Sequence, residues 1–232
     1  MSLLIPSRFN GPPGSGNGGY ACGVFASVVA GDAEVTLRSP PPLEVELTVS
    51  GSDGVHHILH GETLVAEVRP TEVHLDIPTA PSIEQAEGAR GRYLGYRRHE
   101  FPTCFTCGTE RTDGLAIHPG PVMGTGIVAS PWRADESLPA EDGHLPPEIV
   151  WAALDCPGAW ATMREATANP VVLGRMAAHL VAPVPVGSTL VSYGWQMGSE
   201  GRKAYAGTAV ADEQGRVLGY ARQVWIQVAE GG

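Results

Sequence analysis

The feature that most restricts the fold of this chain is an internal repeat that carries two prolines with it. Without a gap, residues 37–47 lie on residues 180–190, so that Pro40 meets Pro183 and Pro42 meets Pro185. Proline fixes its own φ and removes a backbone donor, so a matched pair imposes the same local chain path twice. A second correspondence lies just upstream, where residues 17–26 and 146–155 read as two helix starts with Ala26 on Asp155. The second half holds a longer connection between helix and strand, an insertion that loop-closure entropy barely penalises. The chain therefore reads as two similar halves: residues 1–75 as an N-terminal repeat, 76–100 as a linker with little period-2 apolar pattern, and 101–232 as a C-terminal repeat.

Each half reads as a helix followed by an antiparallel meander. Pro146 and Pro147 suit the first turn of a helix over residues 146–165, where a missing N–H is no loss, and Ile149, Val150, Ala153 and Leu154 give it an apolar stripe. Pro157-Gly158 is expected to kink or loosen that helix just after Asp155. Strands are expected at 174–181, 188–196, 203–212 and 216–228. The first half repeats the order with a helix at 18–30 and strands at 34–38, 44–50, 55–60 and 63–69; Ser52-Asp53-Gly54 and Gly61-Glu62 mark its turns. A long helix wrapped by a curved antiparallel sheet, duplicated in tandem, is an α+β arrangement.

Charge narrows the partners. A net charge of −10 with only fifteen Lys and Arg argues against a nucleic-acid partner or an anionic membrane surface, since both need clustered positive charge. The one basic cluster, Arg90, Arg92, Arg97 and Arg98, is local and falls in the linker. The first residues lack the pattern of a secretory signal, and no apolar run approaches the roughly 20 residues that span a bilayer, so a cytoplasmic location is expected.

Four cysteines, at 22, 104, 107 and 156, suit a reducing compartment. Cys104 and Cys107 form a Cys-x-x-Cys that reads as a structural pair; half of a zinc site, with His99 and His118 as further ligands, and a redox pair are the other readings. His56, His57 and His60 alternate along one hairpin, and no His-x-x-x-His helix pair and no His-Glu-x-x-His spacing occurs. No catalytic metal and no cofactor are expected. Asp53 and His56 stand in a turn, a poor place for the Asp and His of a hydratase, and no Gly-x-Ser-x-Gly elbow exists for serine chemistry.

Read in order, these segments resemble the hotdog-fold acyl-CoA thioesterases, and the chain looks like a fused double-hotdog member of the phenylacetate type. The resemblance is carried by Cys104-Phe105-Thr106-Cys107-Gly108 with Gly114-Leu115, by Asp155 in its helix, by Pro183-Val184-Pro185-Val186-Gly187, and by Asn17-Gly18-Gly19 where that family has His-Gly-Gly. It implies hydrolysis of an acyl-CoA or related thioester, with a carboxylate as base or nucleophile and a glycine N–H at a helix start as oxyanion donor. In such enzymes the glycine stands eight residues before the acid. Here Gly18 stands eight before Ala26, and Pro147 stands eight before Asp155. Proline has no N–H to give. The resemblance thus implies one composite site, Gly18 with Asp155, and a dead reciprocal location at Ala26 and Pro147.

The same resemblance suggests Asn10 as an additional amide donor, and Asn17, Gly19, Trp151 and Gln223 as substrate-lining residues. Pairing of two fused chains into a homodimer stays open. Each residue also has a plainer reading: Asn17-Gly18-Gly19 suits a tight turn, Asp155 a cap at the break before Pro157, and Asn10 a loop. Loss of the glycine motif in one half and of the acid in the other equally fits a non-catalytic protein that binds acyl-CoA or lipid.

Overall fold

The computed structural model describes residues 2–52, 54–163 and 170–228. In chain order the elements are β1 (Ser2–Leu3), α1 (Gly18–Ala26), β2 (Ala33–Leu37), β3 (Leu47–Ser52), β4 (Val55–His60) and β5 (Thr63–Pro70). There follow α2 (Ile83–Arg90), β6 (Gly120–Pro121), β7 (Ile127–Arg133), α3 (Pro147–Thr162), β8 (Val171–Leu180), β9 (Thr189–Glu200), β10 (Lys203–Asp212) and β11 (Val217–Gln227). The expected meanders are present in both halves with ends moved by a few residues. Asp53 of the expected first turn, and the end of the expected helix beyond residue 163, lie outside the described residues.

The strands form one sheet in the order β1-β3-β4-β5-β2-β8-β11-β10-β9-β7-β6. The order β3-β4-β5-β2 is mirrored by β8-β11-β10-β9, with β2 paired antiparallel to β8 at the centre. Glu34 sits directly opposite Ala177 in that pair. Those two residues stand at the same sequence offset as the matched prolines.

Both long helices lie on one another, α1 against α3, and α3 crosses β7 to β11. Residues from Ile149 to Ala159 are all buried, as expected of a helix that is apolar on every side. Two glycines on α1 set how near the helices come. A Cβ on Gly19 would lie 2.5 Å from both the Trp151 carbonyl oxygen and Asp155 Cβ, and one on Gly23 would lie 2.6 Å from Glu148 Cα. The glycine-rich helix start therefore serves packing before chemistry: it lets the first turn of α1 touch the backbone of α3.

Pro157 lies inside α3, which continues past it to Thr162. Proline removes the N–H that would bond the Ala153 carbonyl. The Ser192 hydroxyl donates to that oxygen at 2.7 Å. On either side Thr106 Oγ1 donates to the Ala152 carbonyl at 2.9 Å and Gln223 Nε2 to the Leu154 carbonyl at 2.7 Å. All three donors are fully buried. Side chains from a loop and two strands thus supply donors around the turn that proline disturbs. Helix α1 is shorter than expected and ends at Ala26, where Ser27 and Val28 make tightened bonds to the Val24 and Phe25 carbonyls.

The stretch expected to be a connector holds α2, opened by a capping box in which Ser82 and Gln85 each satisfy the other's backbone N–H. Its buried Ala86 and Ala89 pack against Val122 and Ala129 near β7. Among the described residues no helix is long and apolar enough to cross a membrane.

Candidate functional site

The site is assembled where the start of α1 meets the middle of α3. The chain folds back before α1: Gly11 and Ser15 pair, and Asn17 N–H donates to the Phe9 carbonyl at 2.8 Å. Phe9 stacks on Tyr20 with ring centroids 3.9 Å apart, and Phe105 meets Phe9 edge-on. This aromatic cluster anchors the Cys104–Cys107 loop to the same helix start, aided by Phe105 N–H donating to the Asn10 carbonyl at 2.8 Å.

Asn17 occupies the N-cap of α1, and its Oδ1 accepts from Tyr20 N–H at 2.9 Å. Its Nδ2 donates to Asp155 Oδ2 at 2.8 Å. Asp155 is only 2 % exposed, and its Oδ1 is buried without a hydrogen-bond partner among the described residues. Burial raises the Asp155 pKa to about 7, with a push upward from the nearby Cys104 sulfur; the Gly19 amide and Asn17 pull it back down. Asp155, Asn17 and Gly18 face one cavity of about 740 Å³, whose wall includes Leu173, Trp160 and Trp225. A carboxylate poised near neutral pH beside a helix start, in a cavity of ligand size, can accept a proton where developing negative charge is also stabilised.

Four of the residues singled out from sequence are brought together here: Asp155, Asn17, Gly18 and Gly19, although Gly19, packed against Asp155 and the Trp151 carbonyl, does not line the cavity as expected. Three are not. Asn10 is a brace away from the cavity wall, its Nδ2 donating to the Thr103 carbonyl at 3.1 Å and its Oδ1 accepting from Arg111 at 2.8 Å. Trp151 is buried between α1 and α3, where its carbonyl and Cβ face Gly19 and Gly23. Gln223 is fully enclosed under α3 and spends its amide on the Leu154 carbonyl and on Trp225, whose Nε1 donates to its Oε1 at 2.9 Å. Neither of these last two lines the cavity. The role of Asn17 as the partner of Asp155 could not be read from the chain, because it depends on a contact 138 residues apart.

The cysteine pair also finds company that its spacing does not reveal. The sulfurs of Cys104, Cys107 and Cys156 all lie within 4.8 Å of one another. Cys104 and Cys156 are 3.8 Å apart, and His99 Nε2 is 3.4 Å from Cys107 Sγ. His118 is elsewhere engaged, its Nε2 3.3 Å from the Gly108 carbonyl and its Nδ1 3.0 Å from the Tyr96 hydroxyl.

No family profile matches this sequence, and no curated protein does. Solved structures do match over nearly its whole length. A conserved protein of unknown function with a hot dog fold from Alicyclobacillus acidocaldarius superposes with a TM-score of 0.62 at 11 % identity, covering 98 % of this chain and 92 % of its own. The chain has the hotdog fold. Two further matches are a protein from Novosphingobium aromaticivorans named as a thioesterase (TM-score 0.62, 18 % identity, 98 % and 95 % covered) and the tesB protein of Mycobacterium avium subsp. paratuberculosis (0.60, 13 %, 98 % and 91 %). At such identities the likeness is one of hotdog architecture, as the sequence resemblance implies.

Proposed function

We propose that this chain hydrolyses an acyl thioester of the coenzyme A class at one composite site, in a double hotdog whose halves span residues 1–75 and 101–232 around the 76–100 connection. The observation that carries this reading is the buried Asp155 carboxylate of α3 set against the first turn of α1 inside a shared cavity. The mirrored strand order about the β2–β8 joint supports two fused repeats.

In this reading the Asp155 carboxylate, whose Oδ1 has no hydrogen-bond partner among the described residues, takes a proton from water as the water oxygen attacks the thioester carbonyl. The carbonyl π electrons move to oxygen, and Gly18 N–H, unpaired by position at the start of α1 and aligned with its dipole, receives that charge. Collapse of the adduct breaks the C–S bond, and the departing thiolate takes up the proton. Asn17 positions the carboxylate. The reciprocal place is inactive because Pro147 has no N–H and Ala26 no acid. Arg38 and Arg98 line the same cavity, ion-paired with Glu67 at 2.7 Å and Glu100 at 3.9 Å.

Thiol release from short, medium, long and aryl acyl-CoA substrates tests the assignment. Asp155→Asn should lower kcat/KM by about 10²–10⁴-fold; unchanged turnover in this variant rejects Asp155 as the acid. Binding of acyl-CoA by calorimetry without any hydrolysis would instead establish a binding protein.

A further inference from the structure

We propose that the sulfurs of Cys104, Cys107 and Cys156 form a zinc site on the wall of the cavity, next to Asp155, with His99, which touches Cys107 alone of the three, turning in as the fourth ligand. Zinc bonds thiolate sulfur at about 2.3 Å and imidazole nitrogen at about 2.0–2.1 Å, so a tetrahedral site has S···S edges of about 3.8 Å and S···N edges of about 3.5 Å. The Cys104–Cys156 sulfur separation is 3.8 Å and that from Cys107 Sγ to His99 Nε2 is 3.4 Å. The three sulfurs crowd within 4.8 Å, far closer than three neutral thiols need to be in a packed core, and no disulfide joins any pair.

The surroundings are those of a built site. The Cys104–Gly108 segment is a tight turn in which Gly108 N–H donates to the Cys104 carbonyl at 2.9 Å, and a Cβ on Gly108 would lie 2.5 Å from that same oxygen. The turn thereby points both of its cysteines to one side, toward Cys156 on α3. Asn17 Nδ2 lies 3.6 Å from Cys104 Sγ, a donor suited to a thiolate. His99 Nε2 is 3.0 Å from the Cys107 carbonyl, an oxygen that also accepts from the Tyr93 hydroxyl at 3.0 Å. His99 can therefore give up that bond to a metal and leave no orphaned carbonyl, its proton moving to Nδ1 at the cost of the bond that Nδ1 accepts from the Phe101 amide. Tyr93 and Trp160 pack beside the cluster with ring centroids 4.6 Å apart, and His99 meets Trp160 edge-on at 5.3 Å.

All four residues face the cavity that holds Asp155. The site ties the Cys104–Cys107 loop to α3, and hence the linker-side segment carrying His99 to the catalytic carboxylate's own helix. Its existence does not depend on whether the chain hydrolyses thioesters.

The test is elemental analysis of the full chain purified without chelator and then equilibrated with zinc. One zinc per chain is expected, retained in Cys22→Ser and lost in Cys107→Ser, with affinity reduced at least tenfold in His99→Ala. Wild-type protein loaded with cobalt gives a measurement that does not depend on a variant folding: thiolate-to-cobalt charge-transfer bands with tetrahedral d–d absorption support the site. Substoichiometric zinc together with no such bands overturns it, as does a metal that stays when Cys107 is replaced. Formation of a Cys104–Cys156 disulfide in place of metal uptake under reducing handling would equally overturn it.

Discussion

Asn17 grips Asp155 with one end of its amide and the α1 backbone with the other, Nδ2 donating to Oδ2 at 2.8 Å while Oδ1 accepts from Tyr20 N–H at 2.9 Å. One buried side chain thus fixes the helix start and the carboxylate to each other. Replacing it by alanine removes the cap and leaves a buried carboxylate with less support. Asn17→Ala should destabilise the fold by about 1–3 kcal/mol in urea titration. Asn17→Asp keeps an effective cap but sets two carboxylates side by side, so its stability deficit should grow with rising pH. An Asn17→Asp deficit independent of pH would mean the two side chains do not share the contact.

The pKa of Asp155 has a consequence for stability with a definite sign. Burial raises it from 3.8 in the unfolded chain to about 7 in the native one, so between these values the native state holds a proton that the unfolded state has released. The contribution of Asp155 is fully present below the unfolded value and is lost as pH rises through about 7. In chelator-treated protein the wild type should therefore lose stability relative to Asp155→Asn across that window, and the variant should have the higher melting temperature at alkaline pH. Parallel melting curves for the two proteins from pH 4 to pH 9 would show that Asp155 is not shifted. On the proposed function, turnover rises over the same range as the carboxylate ionises.

How much of this was legible in the chain depends on the range of the signal. The proline-matched repeat, the two helix starts and the meanders β2–β5 and β8–β11 were written locally, in turn residues and alternation. Strand β7 was not found, because Pro131 argues against a strand. It is tolerated there because β6 pairs only as far as Ala129, leaving β7 with one neighbour at the proline. Helix α2 did carry a local mark, the Ser82 and Gln85 capping box, in a stretch whose composition read as linker. The gathering of Cys156 with Cys104 and Cys107, and the loss of Asn10 to Thr103 and Arg111, are tertiary facts with no local trace.

Close helix contact makes Gly19 and Gly23 unusually intolerant. The atoms an added Cβ would strike include the Trp151 carbonyl oxygen at 2.5 Å and Glu148 Cα at 2.6 Å, both backbone, so no rotamer change relieves the clash. Alanine at either position has better helix propensity than glycine by about 1 kcal/mol, yet overpacking of this kind typically costs about 1–3 kcal/mol or more. Gly19→Ala and Gly23→Ala should each lower the urea midpoint, and Gly19→Ala should also disturb Asp155, whose Cβ lies 2.5 Å from the new methyl. A stabilised variant at either site would mean that the two helices sit farther apart.

The accommodation of Pro157 predicts a measurable coupling. Ser192 Oγ donates at 2.7 Å to the Ala153 carbonyl, the oxygen that a non-proline residue at 157 would bond through its own N–H. In the wild type, Ser192→Ala therefore leaves a buried carbonyl unpaired and should cost about 1–3 kcal/mol. With Pro157→Ala in place the backbone supplies the missing donor, so the same Ser192→Ala change should cost substantially less. The two substitutions are expected to be non-additive by about 0.5–3 kcal/mol, as neighbours sharing one partner are. Equilibrium unfolding of the wild type, both single variants and the double variant closes the cycle. A coupling of zero would show that the hydroxyl is not what allows a proline within α3; Thr106 and Gln223, bonded to the flanking carbonyls, would then carry that function.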